Sequence, residues 1–169
     1  MTVYPRLRMR LSLEERRIPS DVRHRTVERS DTAAVGELLL AAYRGTVDDE
    51  GGETRDDAVA EVERVLDGAN GPFVSDASFV VEDEDGLAGA SLVAIWEVVP
   101  LLCYIVVHPR AQRRGVGTFL IERTGNALLR GGYPELDLFV TEENGPAVDL
   151  YRKLGFEMID RVDRPPGEA

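Results

Sequence analysis

The stretch Tyr104-Ile-Val-Val-His-Pro-Arg-Ala-Gln-Arg-Arg-Gly-Val-Gly-Thr-Phe-Leu120 constrains the chain more than any other. Ile105, Val106 and Val107 form a β-branched run that reads as a buried strand, and Pro109 ends it because proline has no N–H for a ladder. Gln112, Arg113, Arg114, Gly115, Val116, Gly117 and Thr118 lead into a helix. Val116, Phe119, Leu120, Ala127 and Leu128 keep helical spacing, and Gly131-Gly132 ends the pattern. Glycine lets a ligand come close to the backbone, and the amides of a first helical turn have no partners inside the helix. With the positive end of the helix dipole and two arginines alongside, the junction suits a phosphate or pyrophosphate. A dinucleotide-binding fingerprint would need a third glycine where Leu120 stands, and a P-loop would need Gly-Lys-Ser/Thr, which is absent.

A second dense segment is Asn144-Gly-Pro-Ala-Val-Asp-Leu-Tyr-Arg-Lys-Leu-Gly-Phe156. Asn144 suits a helix cap, Pro146 a first turn and Gly155 a C-terminal stop, so the spacing predicts a short helix. Asn144 and Tyr151 project from one side of it, with the small Ala147 between them. Before it, Leu136, Leu138 and Val140 alternate with Asp137, Phe139 and Thr141 as in a half-buried strand.

Gln112-x-x-Gly115-x-Gly117 follows Val107-x-Pro109. One helix and one strand later comes Asn144-x-x-Ala147-x-x-Leu150-Tyr151-x-x-x-Gly155-Phe156. The pair, in this order, resembles the acyl-CoA-binding motifs of the GNAT superfamily of N-acyltransferases. The resemblance covers roughly residues 24–162 and implies a single α/β domain over 1–169. Its sheet would be mixed, mostly antiparallel and twisted, with helices on both faces. The fourth strand, from about Leu101, and the fifth, Leu136–Val140, would splay apart.

The activity implied is transfer of an acetyl group from acetyl-CoA to a primary amine. By resemblance, Gln112 and the amides of Arg113, Arg114, Gly115, Val116, Gly117 and Thr118 hold the pyrophosphate. The backbone of Ile105, Val106 and Val107 pairs with the pantetheine arm, and an N–H near Val107 faces the thioester oxygen. Asn144 contacts the pantetheine or cysteamine end. Tyr151 is the general acid for the departing thiolate. Two features depart from the family. Only 13 residues follow Phe156, so its usual final strand has little chain; either an N-terminal strand would take over that edge or the sheet would be shorter. Phe139 stands where some protein-acetylating members carry a glutamate.

Leu7, Met9, Leu11 and Leu13 alternate with polar residues in the arginine-rich segment 1–23, which predicts an added edge strand, with a flexible arm as the alternative. Ser30 or Asp31 can cap a helix bearing Val35, Leu38, Leu39 and Ala42, and Thr54 one bearing Ala58, Val59, Val62, Val65 and Leu66. Segment 47–67 holds nine acidic residues against two arginines. It reads as a solvated face or as an acidic wall that draws in a cationic acceptor. The base is open among Glu97, Asp48, Asp49, Glu50 and an ordered water, while His108 reads as a surface loop residue.

The net charge of −11 argues against nucleic acid or an anionic membrane as partner. The apolar run 98–107 is too short to span a bilayer. Cys103, the only cysteine, allows no internal disulfide, and no cluster has metal-ligand spacing. The expectation is a cytoplasmic enzyme acting on a small cationic amine, with a homodimer left open. The alternatives are an acyl-CoA-binding regulatory module and an acetyltransferase acting on a protein N-terminus or lysine.

Overall fold

The computed structural model describes residues 4–49 and 51–163. Seven strands form one sheet: β1 (Arg6–Ser12), β2 (His24–Thr26), β3 (Phe79–Asp83), β4 (Gly86–Trp96), β5 (Val99–Val107), β6 (Glu135–Thr141) and β7 (Glu157–Val162). Four α-helices accompany it: α1 (Thr32–Tyr43), α2 (Arg55–Leu66), α3 (Val116–Arg130) and α4 (Gly145–Leu154). The strand order is β2-β3-β4-β5-β6-β1-β7. Every pairing is antiparallel except β5 with β6, which is parallel.

Local chemistry places most boundaries. Thr54 caps α2 in a reciprocal box with Asp57, and Asn144 caps α4 by accepting from the Ala147 amide. Gly155 closes α4 at a φ of 105°, in the left-handed region that favours glycine. Asp83 and Gly86 pair across the two-residue turn that joins β3 to β4. Helices α1 and α2 bury Val35, Leu39, Val62 and Val65 against Val80, Ala90, Leu92 and Val106. Helices α3 and α4 cover the opposite face, where Ile121, Leu128, Val148 and Leu154 meet Met9, Leu136 and Leu138. A Cβ on Gly89 of β4 would lie 2.7 Å from Val116 Cγ1, so the bare backbone there lets the first turn of α3 sit directly on the sheet. Among the described residues no helix is long and apolar enough to cross a membrane.

Two expectations are corrected. The N-terminal strand forms, but not at an edge: β1 lies between β6 and β7 and pairs with both. Alternating apolar residues report which face of a strand is buried, and say nothing about whether its edges are paired. The final strand also forms, because the six residues from Glu157 to Val162 suffice for a strand against a single partner. It is β7, with Met158 and Ile159 exposed, that takes the edge.

The alternation in β6 likewise leaves out one residue. Asp137 stands on the polar side of the pattern yet is 0% exposed. Arg8 Nε donates to it at 2.8 Å, and Arg10 Nε and Nη2 donate at 2.7 and 3.0 Å. Arg8 also stacks over the Trp96 ring, 4.6 Å from its centroid. Asp137→Ala would leave two guanidiniums without their shared anion, so it is expected to cost about 3 kcal/mol, read as a lower urea midpoint.

Candidate active site

The loop between β5 and α3 is built to leave amides free. After a short 3₁₀ turn at Pro109–Ala111, the Gln112 side chain folds back and donates to the Val107 carbonyl at 3.4 Å. Arg113 has a φ of 65°, unusual for a residue with a Cβ, and Gly115 a φ of 80°. Left-handed residues thus flank Arg114, and backbone of that kind can present successive N–H groups to an anion. Among the described residues, the amides from Arg113 to Thr118 donate to no protein group, and Arg113 and Arg114 are exposed without an ion pair. Packing does not require either glycine: a Cβ at Gly115 would meet nothing within 4 Å, and one at Gly117 would touch Val107 Cγ2 at 3.6 Å. Gly115 answers to its φ, while Gly117 leaves room above the amides. The loop fits a diphosphate.

The parallel ladder between β5 and β6 holds only at Leu101–Asp137 and Leu102–Leu138. Beyond it the strands splay, as the resemblance implies. A bulge against β4 falls at the same point, between Leu102 and Tyr104, leaving Cys103 as the extra residue. The bulge inverts the alternation. Leu102 packs with the α3/α4 side, whereas Tyr104 packs with α1 and α2. The His108 amide bonds to Ala88 of β4 at 2.8 Å, so the alternation of the ladder aims Val106 at β4 and turns the N–H and C=O of Ile105 and Val107 toward the gap. An extended ligand lying there could pair with β5 as an added strand.

Tyr151 stands on α4, with its ring edge-on to Phe156 at 5.7 Å. Among the described residues its hydroxyl has no hydrogen-bond partner. Burial, reinforced by the charge of Asp48, pushes that hydroxyl up to about 12. Tyr43 lies in the same region, its hydroxyl pushed well above its ordinary range by burial and by Tyr104, Asp48, Tyr151 and Glu53. The Cys103 thiol is also pushed up to about 12 by burial, which keeps it protonated and unreactive. Asn144 is occupied as the α4 cap, with its amide NH₂ left over.

The candidate bases separate clearly. Glu97 is exposed in the hairpin turn between β4 and β5, at the far end of β5 from the glycine loop. Asp49 accepts from the amides of Gly45 and Gly51 and shapes its own turn. Glu50 lies outside the described residues. Asp48 accepts from Thr141 at the end of β6. His108 accepts from the Arg110 amide at 3.2 Å, a local loop contact. The involvement of Thr141 and Tyr43 left no sequence signal, since both are ordinary strand and helix residues.

A sequence profile described as an acetyltransferase (GNAT) domain matches residues 75–158. An acetyltransferase of Pectobacterium atrosepticum is 37% identical over 59 residues, which are 35% of this chain and 42% of that relative. The aligned part therefore spans about two fifths of the length of the curated relatives. The crystal structure of a GCN5-related N-acetyltransferase from Sphaerobacter thermophilus superposes with a TM-score of 0.70 at 17% identity, over 94% of this chain and 50% of that one. The structure of the paia N-acetyltransferase from Thermoplasma acidophilum in complex with coenzyme A gives 0.66 at 16% identity, over 83% of this chain and 92% of that one.

Proposed function

The chain belongs to the GNAT superfamily, and from that premise we propose that it transfers an acetyl group from acetyl-CoA to a primary amine. The observation that carries the reading is the run of unpartnered amides at the head of α3, opening onto a gap lined by unpaired strand backbone. The amides from Arg113 to Thr118, with Arg113 and Arg114, take the diphosphate of the carrier. Ile105 and Val107 pair with its pantetheine arm, and their N–H groups are available to hold the thioester oxygen as it gains charge. The free NH₂ of Asn144 supports the cysteamine end. Tyr151 gives its proton to the departing sulfur. Direct attack by the amine suits this gap, because the one thiol on β5 is held protonated and cannot serve as a relay nucleophile.

The test combines calorimetry with acetyl-CoA and release of free coenzyme A thiol in the presence of primary amines. Tight binding with amine-dependent thiol release supports the reading. Binding without turnover of any amine would instead make the chain a sensor of acyl-CoA, and absence of binding would end both readings.

A further inference from the structure

The segment after α1 returns to the sheet at one place. Thr141 Oγ1 donates to Asp48 Oδ1 at 2.5 Å, a bond between residues 93 apart in sequence. Thr141 is buried and ends β6, and its carbonyl accepts from the Asn144 amide at 2.9 Å. Asp48 is thereby pinned to the turn from which α4, and with it Tyr151, projects. Among the described residues the second carboxylate oxygen of Asp48 has no partner. Three other acids of the segment are committed: Asp49 accepts from two turn amides, Asp57 from the Thr54 amide, and Glu61 from the Tyr104 hydroxyl at 3.1 Å. The hydroxyls of Tyr43 and Tyr151 flank the region without hydrogen-bond partners among the described residues.

We infer that Asp48 docks the acceptor ammonium through its free oxygen and takes the proton the amine must lose, Thr141 being the positioning residue that aims it. The inference rests on the acyl-transfer reading above. Half-buried tyrosine walls and a single fixed carboxylate suit a primary alkylammonium, since a cation gains from both the anion and the aromatic faces. The balance closes as follows. The C–N bond forms and the C–S bond breaks. The ammonium loses two protons in all: one leaves through Asp48 to solvent, and the second restores the proton that Tyr151 gives to sulfur. An alkylammonium titrates near 10, so at neutral pH nearly every acceptor arrives charged and needs this docking.

The experiment uses the full chain with acetyl-CoA and a panel of ethylamine, diaminobutane, glucosamine and a short peptide with a free N-terminus. Asp48→Asn is expected to lower kcat/KM for the best amine by about 10²-fold, with calorimetric affinity for acetyl-CoA unchanged. Its deficit should shrink as pH approaches about 10, where solvent delivers neutral amine. A structural role, or effects on Tyr43, Tyr104, Tyr151, Glu53 and Glu61 around it, would not be relieved in that way. Thr141→Val should cost less, roughly 10-fold, because the carboxylate survives but loses its aim. If the wild-type chain turns over an amine and Asp48→Asn keeps its rate within about 3-fold at neutral pH, the assignment of Asp48 is overturned while acyl transfer stands. If the wild-type chain turns over none of the panel, both fall.

Discussion

Gly115→Glu is expected to weaken acetyl-CoA binding by about 10³-fold while the protein stays folded. The φ of 80° charges any non-glycine residue about 1–2 kcal/mol, a loss this fold can bear. The new side chain meets no steric obstacle, since a Cβ there has nothing within 4 Å. Its carboxylate would stand over the amides that take the diphosphate. Two like charges about 4 Å apart near a protein surface repel by roughly 4 kcal/mol, which is about 10³ in affinity. Gly115→Ala separates the two costs: it carries the backbone strain without the charge, so it should lose stability by a similar amount and retain most of the affinity. Calorimetry on both variants decides. Wild-type affinity in Gly115→Glu would mean that the diphosphate does not lie on this loop.

That prediction comes from a stretch that was legible in the sequence, and the reason is locality. Gly115, Gly117, Pro109 and the β-branched run act on backbone within a turn or two of themselves, as do the Asn144 cap and the Gly155 stop. Their effects are written where they occur. What the sequence hid is long-range. Nothing in Leu7-Arg-Met-Arg-Leu11 says that β6 and β7 will pair on either side of it, because strand order depends on contacts more than a hundred residues away. Asp137 reads as a solvent-facing residue until Arg8 and Arg10 are brought across from β1 to neutralise it. Polar residues on α3 were hidden in the same way. Thr124 is buried against Ser91 and the Ala77 carbonyl, and Asn126 bonds both the N–H and the carbonyl of Arg16, tying down the segment after β1. Arg113 gave no sign of its left-handed φ, which comes from the loop around it. The acidic segment offered two readings, and the bonds that reach it from the sheet, Thr141 to Asp48 and Tyr104 to Glu61, have no mark in the sequence.

Tyr151→Phe should lower kcat by about 10²–10⁴-fold with KM for acetyl-CoA unchanged. Phenylalanine preserves the ring contact with Phe156, and the lost hydroxyl leaves no partner orphaned among the described residues, so stability should move by less than about 0.5 kcal/mol. The pH dependence carries the sharper test. Burial raises the Tyr151 hydroxyl to about 12, so its proton-donating form persists well past the ordinary tyrosine range. Wild-type activity should therefore show no loss from Tyr151 until pH nears 12. A hydroxyl so weakly acidic would be a poor donor to a thiolate in water, which titrates near 8.5. The thiol of Cys103, buried on the neighbouring strand, is raised to about 12 as well. A thiolate leaving in a desolvated gap becomes more basic than in water, which narrows its difference from the Tyr151 hydroxyl. The acceptor's second proton, released once the C–N bond has formed, then restores the Tyr151 hydroxyl. If Tyr151→Phe turns over at the wild-type rate with saturating acetyl-CoA, the sulfur takes its proton from water and Tyr151 is a wall of the gap only.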